Sequence, residues 1–100
     1  MITVKNNNGE IELNQDNGNF IRTIGNGNAF HVDINQEGSL ILITTFNGKV
    51  ELRTEGGSLI RTIGDKNYLM AKFRENNVLV TTCNHIIELR NENGELIRII

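Results

Sequence analysis

The residues that could do chemistry are few and lie far apart. Cys83 and His85 are two positions apart, and His31 stands much earlier in the chain. A thiol beside an imidazole could supply a nucleophile or metal ligands. Paired carboxylates, a Ser-His-Asp order, a glycine-rich phosphate loop and a Cys-x-x-Cys motif are all missing from the sequence. We therefore expect a protein that is not an enzyme and that holds no metal and no cofactor.

The composition argues against several classes of protein. Ten basic and twelve acidic residues give a net charge of −2, which offers no basic surface to a nucleic-acid backbone. No run approaches the roughly 18 apolar residues of a membrane span, and the amino terminus does not look like a signal peptide. One cysteine cannot form an internal disulfide, and no N-x-[ST] sequon is present. We therefore expect a soluble, cytoplasmic protein.

Asparagine and glycine interrupt the chain at short intervals. Sixteen asparagines, ten glycines and no proline occur in 100 residues, and both abundant types tolerate the positive φ of tight turns. Their clusters separate short apolar runs at a spacing of roughly 8–12 residues, which is typical of all-β proteins. The sequence therefore predicts one all-β domain over residues 1–100.

One phrase occurs three times. IELNQDNGNFIRTIG at 11–25, VELRTEGGSLIRTIG at 50–64 and IELRNENGELIRII at 87–100 align Gly18, Gly57 and Gly94 at offsets of 39 and 37 residues. This is the period of a β-propeller blade, a four-stranded antiparallel sheet. The first unit contains only the last three strands of the pattern. We therefore predict eleven strands, in a partial blade at 1–25 and complete blades at 26–64 and 65–100.

The segment FHVDINQEGSLILITTFNGKVELRTEGGSLIRTIG at 30–64 resembles an NHL-type β-propeller repeat. That repeat has a short strand ending in Val-Asp, a glycine-containing turn, a second strand, an Asn-His turn and a closing hairpin of the form D-x-x-G-x-F-L-x-x-F-G. The next copy keeps Asn84-His85, but it has Lys72 in place of Asp33, a shorter first hairpin and no proline before its first strand. The resemblance implies a protein- or RNA-binding platform, and the charge balance favours a protein.

Propellers usually bind through the loops of one face. Phe46, a large apolar residue in a predicted turn, is either an exposed contact residue or a buried plug. His31, on a predicted innermost strand, could line a central channel and bind a small anion or metal, or could be packed or bonded to water. The predicted binding face would combine the loops at 25–28 and 64–67 with the turns at 6–9, 46–48 and 83–85. The candidate partner- or ligand-binding residues are Phe46, Asn47, Asn84, His85, Asn26, Lys66 and His31.

The repeat alignment assigns structural roles to the two remaining reactive groups. Cys83 takes the place of Phe46, which indicates an apolar filler at that position. His85 takes the place of Gly48, which indicates a solvated turn residue.

Each repeated hairpin should close with a three-residue loop that has glycine in the left-handed conformation. Counting outward from Gln15 and Asn19 then pairs Glu12 with Arg22, and Leu13 with Ile21. We expect the apolar residues to share one environment, and the arginines to protect the outer edges from aggregation or, alternatively, to dock an acidic partner. The same count predicts the pairs Glu51–Arg61, Leu52–Ile60, Glu88–Arg98 and Leu89–Ile97.

Three blades would leave two open ends, each with an apolar sheet face that is rarely bare on a soluble monomer. Closed propellers have about 4–8 blades. We therefore predict a homodimer of six blades, in which the first blade of each chain packs on the third blade of the other. The predicted function is a self-assembling scaffold that binds a protein partner. The alternative is a lectin-like propeller with repeated glycan or small-ligand sites, which the low aromatic content disfavours.

Overall fold

The computed structural model describes residues 2–100, so Met1, the first residue of the predicted partial blade, lies outside them. Eleven strands and no helix form within this part of the chain, which confirms the predicted all-β class. In particular, residues 2–100 contain no helix long and apolar enough to cross a membrane. The strands are β1 (Thr3–Asn7), β2 (Glu10–Asn14), β3 (Phe20–Ile24), β4 (Ala29–Ile34), β5 (Leu40–Thr45), β6 (Val50–Thr54), β7 (Leu59–Ile63), β8 (Tyr68–Arg74), β9 (Asn77–Thr82), β10 (Ile87–Arg90) and β11 (Leu96–Ile99).

The strands form three antiparallel meanders, each continuous in sequence. Sheet 1 contains β1, β2 and β3; sheet 2 contains β4 to β7; sheet 3 contains β8 to β11. Consecutive sheets pack on one another through two hydrophobic clusters. We call the face that a sheet turns toward the next sheet its forward face, and the opposite face its rear face.

Sheet 2 is buried on both faces. Ile41 and Ile43 on its rear face belong to the cluster shared with sheet 1, whereas Leu42 belongs to the cluster shared with sheet 3. All three side chains are at most 1 % exposed. Because side chains alternate between the two faces of a strand, a strand that is covered on both sides needs an unbroken apolar run, which β5 has.

The turns between β2 and β3, β6 and β7, and β10 and β11 close as predicted. The Gln15 N–H donates to the Asn19 carbonyl at 2.8 Å, and the equivalent bonds link Thr54 to Ser58 and Asn91 to Glu95. The glycine of each turn has positive φ. At Gly57 a Cβ would lie only 3.0 Å from Ile24 Cγ2. Glycine therefore serves both the turn and its close packing on the preceding sheet.

Beyond these turns the pairing differs from the prediction. Leu13 lies opposite Arg22, and Ile21 is the extra residue of a β-bulge. The same shift places Leu52 opposite Arg61 and makes Ile60 the extra residue. The prediction was wrong because counting outward from a turn assumes an unbroken ladder, which a bulge interrupts. The incorrect pairs are Glu12–Arg22, Glu51–Arg61, Glu88–Arg98, Leu13–Ile21, Leu52–Ile60 and Leu89–Ile97.

Because of the bulges, the leucines of β6 and β10 are buried, whereas the bulged isoleucines of the outer strands β7 and β11 are exposed. Leu52 is 2 % exposed and Leu89 is 6 % exposed, whereas Ile60 and Ile97 are 40 % and 48 % exposed. The expectation of one shared environment is therefore wrong for the outer strands. A bulged outer strand is a poor template for a further strand, so the bulges disfavour strand addition at these edges.

The two ends of the stack differ in chemistry. In sheet 1, Val4 pairs with Leu13, as Leu42 pairs with Leu52 in sheet 2. Thr3 and Lys5 therefore occupy the rear-face positions that hold isoleucine in sheet 2. The expected apolar face is wrong for this end. Asn8 and Gly9, with φ of 55° and 94°, form a two-residue turn between β1 and β2. Each residue of β1 therefore corresponds to a residue of β5 that is one position earlier than the sequence alignment places it.

Candidate functional site

The loops between sheets lie against the turns that follow β1, β5 and β9. The Ala29 N–H donates to the Gly9 carbonyl at 3.0 Å, and the Tyr68 N–H donates to the Gly48 carbonyl at 2.9 Å. Each bond joins the first strand of one sheet to a turn of the preceding sheet. The structure thus brings together the predicted loops and turns. We call this end of the molecule the turn face; it comprises residues 6–9, 25–28, 46–48, 64–67 and 83–86.

One phenylalanine on the turn face and one beside it are exposed. Phe30 and Phe46 are 54 % and 69 % exposed, and their rings meet edge to face with centroids 5.6 Å apart and an interplanar angle of 66°. A bulge makes Phe30 the extra residue of β4, between Ala29 opposite Thr45 and His31 opposite Thr44. Of the two alternatives for Phe46, the structure shows the exposed residue.

The aromatic pair lines a pocket of about 380 Å³ between sheets 2 and 3. Sheet 3 contributes Tyr68, Leu69 and Cys83 to the lining, and polar atoms come from the nearby turn and loop. The Cys83 side chain is exposed. Its interpretation as an apolar filler is therefore wrong, because the turn carries this position, like that of Phe46, outside the packed interior.

Two further pockets adjoin the aromatic one, and one of them is polar. The polar one, of about 400 Å³, is lined by Asn47, Lys49 and Asp65, among others. The other, of about 270 Å³, lies beside Asn84 and is lined mainly by apolar atoms. Asn67 lines all three pockets. The site therefore combines an apolar centre with amide groups that can donate and accept hydrogen bonds.

A buried carboxylate holds the 64–67 loop in place. Glu88 on β10 is fully buried, and it accepts hydrogen bonds from the Tyr68 hydroxyl at 3.0 Å and from Arg90 Nε at 2.9 Å. Lys66 donates to its other oxygen. Arg90 also bonds to the Gly94 carbonyl at 2.7 Å. The loop that carries Asn67 is thus tied to the middle of sheet 3.

The same contacts set the ionisation of the group. Burial by itself raises the pKa of Glu88, but the hydrogen bonds from Lys66, Arg90 and Tyr68 outweigh it and hold this pKa below its ordinary value of 4.5. The hydrogen bond to Glu88 raises the pKa of Lys66, and burial together with that contact raises the pKa of Tyr68. At neutral pH, Glu88 is therefore ionised between the charged Lys66 and Arg90 and the neutral Tyr68 hydroxyl.

The remaining predicted residues lie in different surroundings. Asn26 and Asn84 are exposed in a loop and a turn. His85 is exposed with φ of 66°, as expected of a turn residue in the position of a glycine. His31 lies opposite Thr44 and does not line the aromatic pocket. Its Nδ1 and the Thr44 hydroxyl are buried without a hydrogen-bond partner among residues 2–100.

Sequence reasoning missed Phe30, Asn67 and Glu88 as parts of the site. A bulge such as that at Phe30 has no signature in one sequence. The pairing of Glu88 with Arg90 does have one, because residues two apart on a strand share a face and Glu-x-Arg recurs at Glu51. Over residues 2–100, no three His, Cys, Asp or Glu side chains are grouped in a way that could hold a metal ion.

Comparison with known proteins adds no relative to this description. No family model matches the chain, and the curated proteins contain no match to it. The resemblance to NHL repeats therefore rests on the sequence motifs alone.

Proposed function

We propose that this chain is a non-catalytic interaction scaffold built from sheets of the β-propeller type. It assembles with a second copy and binds a protein partner through the turn face. The propeller-type arrangement is supported by three successive antiparallel meanders that pack face to face in chain order. The observation that carries partner binding is the exposed aromatic pair of Phe30 and Phe46.

The aromatic pair has the properties of a contact centre. Large aromatic side chains supply much of the binding energy in protein interfaces when a partner covers them. Here both rings stand at one pocket, next to the amides of Asn47 and Asn67. Amides around an apolar centre can pair with a partner's backbone while the rings are buried. An extended peptide segment with a large apolar side chain fits this arrangement.

The alternative of repeated glycan sites has less support. A repeated site needs a similar ring in each sheet, but Leu69 takes the place of Phe30 in sheet 3, and Cys83 takes the place of Phe46. The aromatic pocket therefore has one location in the described chain. A single pocket of this kind suits one partner per chain better than a repetitive sugar.

The test is selection of displayed peptides on the immobilised wild-type chain, followed by binding measurements on Phe46→Ser. We expect selected peptides to bind the wild type and to lose at least about tenfold in affinity for the variant, since a truncated aromatic centre often costs 2 kcal/mol or more. Phe20→Ser is the matched control, because Phe20 is 62 % exposed but lies on the outer strand of sheet 1. Equal loss in both variants would contradict the proposal, as would glycan binding that survives Phe46→Ser.

A further inference from the structure

The chain contains five Asn-Gly dipeptides, and one of them has surroundings that differ from those of the others. An asparagine followed by glycine is prone to deamidation, because glycine has no Cβ to shield its backbone nitrogen from the preceding side chain. All five pairs have the same local chemistry, so the pair that reacts in the folded protein depends on what each glycine nitrogen contacts. The pairs are Asn8-Gly9, Asn17-Gly18, Asn26-Gly27, Asn47-Gly48 and Asn93-Gly94.

Four of the five glycine nitrogens are hydrogen-bonded within turns. The Gly9 N–H donates to Oδ1 of the Asn6 side chain at 2.9 Å. The N–H groups of Gly18, Gly48 and Gly94 donate to the backbone carbonyl three residues earlier, at 2.8, 3.0 and 2.9 Å. Such a glycine must give up its hydrogen bond before its nitrogen can react, which requires the turn to open. Each turn therefore protects the asparagine that precedes its glycine.

The Gly27 nitrogen lacks this protection. Within residues 2–100, neither its N–H nor the Asn26 side chain has a hydrogen-bond partner. Both residues are exposed in the 25–28 loop. A Cβ placed on Gly27 would meet no atom within 4 Å apart from its chain neighbours. The two reacting groups are therefore free to approach each other in open space.

We propose that Asn26 is the residue at which the folded chain spontaneously deamidates. The Gly27 nitrogen loses its proton to water and attacks Cγ of the Asn26 side chain. A new C–N bond forms, the bond from Cγ to Nδ2 breaks, and Nδ2 leaves as ammonia, so that a cyclic imide remains. Water then opens this ring. Cleavage at Cγ gives aspartate, and cleavage at the backbone carbonyl carbon gives isoaspartate, in which the main chain runs through Cγ.

The modification changes the chemistry of the turn face. Either product replaces a neutral amide with a carboxylate, which adds a negative charge to a chain whose net charge is −2. Isoaspartate also lengthens the backbone of the loop by a carbon atom. Just beyond the reactive pair, the Asn28 carbonyl accepts a hydrogen bond from the Phe46 N–H at 3.0 Å. The altered loop is therefore joined directly to the turn that carries the exposed aromatic ring.

The test is the rate of deamidation at each Asn-Gly pair of the folded wild-type chain, measured at neutral pH in water enriched in heavy oxygen. Peptide mapping by mass spectrometry follows each asparagine separately, because each imide takes up a heavy oxygen atom when it is hydrolysed. The same chain unfolded in guanidinium chloride is the matched control. Dividing each folded rate by its unfolded rate removes the effect of neighbouring residue types. We expect this ratio to be at least about threefold larger at Asn26 than at any other pair, since opening a hydrogen-bonded turn lowers the reactive fraction by about this factor.

Two variants test the protecting hydrogen bond directly. Asn6→Ala removes the acceptor of the Gly9 N–H, so deamidation at Asn8 should become at least about threefold faster. Asn6→Asp is the matched control, because aspartate keeps an acceptor oxygen at the same position. Both variants lose the bond from Asn6 Nδ2 to the Ala29 carbonyl, so that loss does not distinguish them. Far-UV circular dichroism checks that both are folded.

Two results would overturn the inference. The first is a ratio of folded to unfolded rates at Asn26 that does not exceed the ratio at every other Asn-Gly pair. The second is a deamidation rate at Asn8 that is the same in Asn6→Ala and Asn6→Asp, which would remove the physical basis of the assignment. Neither measurement involves a partner, so a failure of the proposed partner binding would leave both unchanged.

Discussion

The Tyr68 hydroxyl donates a 3.0 Å hydrogen bond to the buried carboxylate of Glu88. Tyr68 begins sheet 3 and Glu88 lies on the third strand of that sheet, so the contact spans two strands. It anchors the 64–67 loop, and with it Asn67 of the turn face. In sheet 2 the equivalent glutamate, Glu51, has Arg53 as its ion-pair partner, and alanine occupies the position of the tyrosine.

Replacing Glu88 with glutamine should destabilise the protein at neutral pH. The change weakens charged hydrogen bonds from Arg90 and Lys66 in a buried site, and we expect a loss of about 1.5–3 kcal/mol in the free energy of unfolding. Urea denaturation at pH 7 measures it. Glu51→Gln is the matched control and should cost less, because the Glu51 side chain is 12 % exposed. Equal losses would show that the additional partners of Glu88 contribute nothing.

The stability that ionised Glu88 provides should disappear in acid. Its hydrogen bonds hold the folded-state pKa below the ordinary value of 4.5. A group with a lowered folded-state pKa stabilises the protein fully above the unfolded-state pKa, and this contribution is lost as the pH falls through the folded-state pKa. The difference in unfolding free energy between wild type and Glu88→Gln should therefore shrink below pH 4.5. A difference that stays constant between neutral and strongly acidic pH would contradict this assignment.

Gly64→Ala should be more damaging than the same change at Gly25. Both glycines have positive φ, at 78° and 88°, so alanine costs about 1–2 kcal/mol of backbone strain at either site. At Gly64 the new Cβ would also overlap the Tyr68 hydroxyl, whereas at Gly25 it would lie 3.4 Å from Ile43 Cδ1. We expect about 1–3 kcal/mol of additional loss at Gly64 from this overlap.

A double-mutant cycle isolates the contribution of the tyrosine. Adding Tyr68→Ala to Gly64→Ala removes the overlap, because alanine lacks the ring and hydroxyl that the new Cβ would meet. Alanine is also the residue at the equivalent position of sheet 2, Ala29. The combined loss, measured by thermal or urea unfolding, should be smaller than the sum of the two single losses. Additive losses would show that Tyr68 does not constrain Gly64.

The bulge at Ile60 predicts that alanine substitutions on the two strands of the β6–β7 hairpin reduce the free energy of unfolding by different amounts. Leu52 is 2 % exposed and Ile60 is 40 % exposed. Leu52→Ala should therefore cost about 2–5 kcal/mol by leaving a cavity, and Ile60→Ala should cost about 1 kcal/mol or less, in line with its limited burial. Urea denaturation compares the two variants. Similar losses would favour the unbulged pairing in which Leu52 faces Ile60.

The thiol of Cys83 should react readily in the folded protein. It is the one cysteine of the chain, and its side chain is exposed beside the aromatic pocket. Ellman's reagent should modify one thiol per chain without denaturant, at a rate close to that of the unfolded chain. Protection that is released only on unfolding would show that Cys83 packs as an apolar filler after all.

The sequence by itself determined the strands and their order. Asparagine and glycine at regular intervals specify tight turns, because these residues tolerate positive φ. The alternation between the turns specifies strands, and the unbroken apolar run of β5 requires cover on both faces. These are local properties, so a single sequence contains them. From these properties alone, the sequence predicts the eleven strands and the grouping of the loops and turns at one end of the molecule.

Pairing beyond the turns was decided only in the tertiary structure. Whether Ile21, Ile60 and Ile97 continue a ladder or bulge from it depends on twist and on contact with the next sheet, which no local pattern records. The bulge at Phe30 follows the same rule. The two-residue turn at Asn8 and Gly9 differs, because its Asn-Gly pair is a local signal that the alignment with the longer turn after β5 did not use. Each shifts later side chains to the other face, because strand side chains alternate with a period of two. One-residue shifts therefore placed Phe30 beside Phe46 and made the rear face of sheet 1 polar.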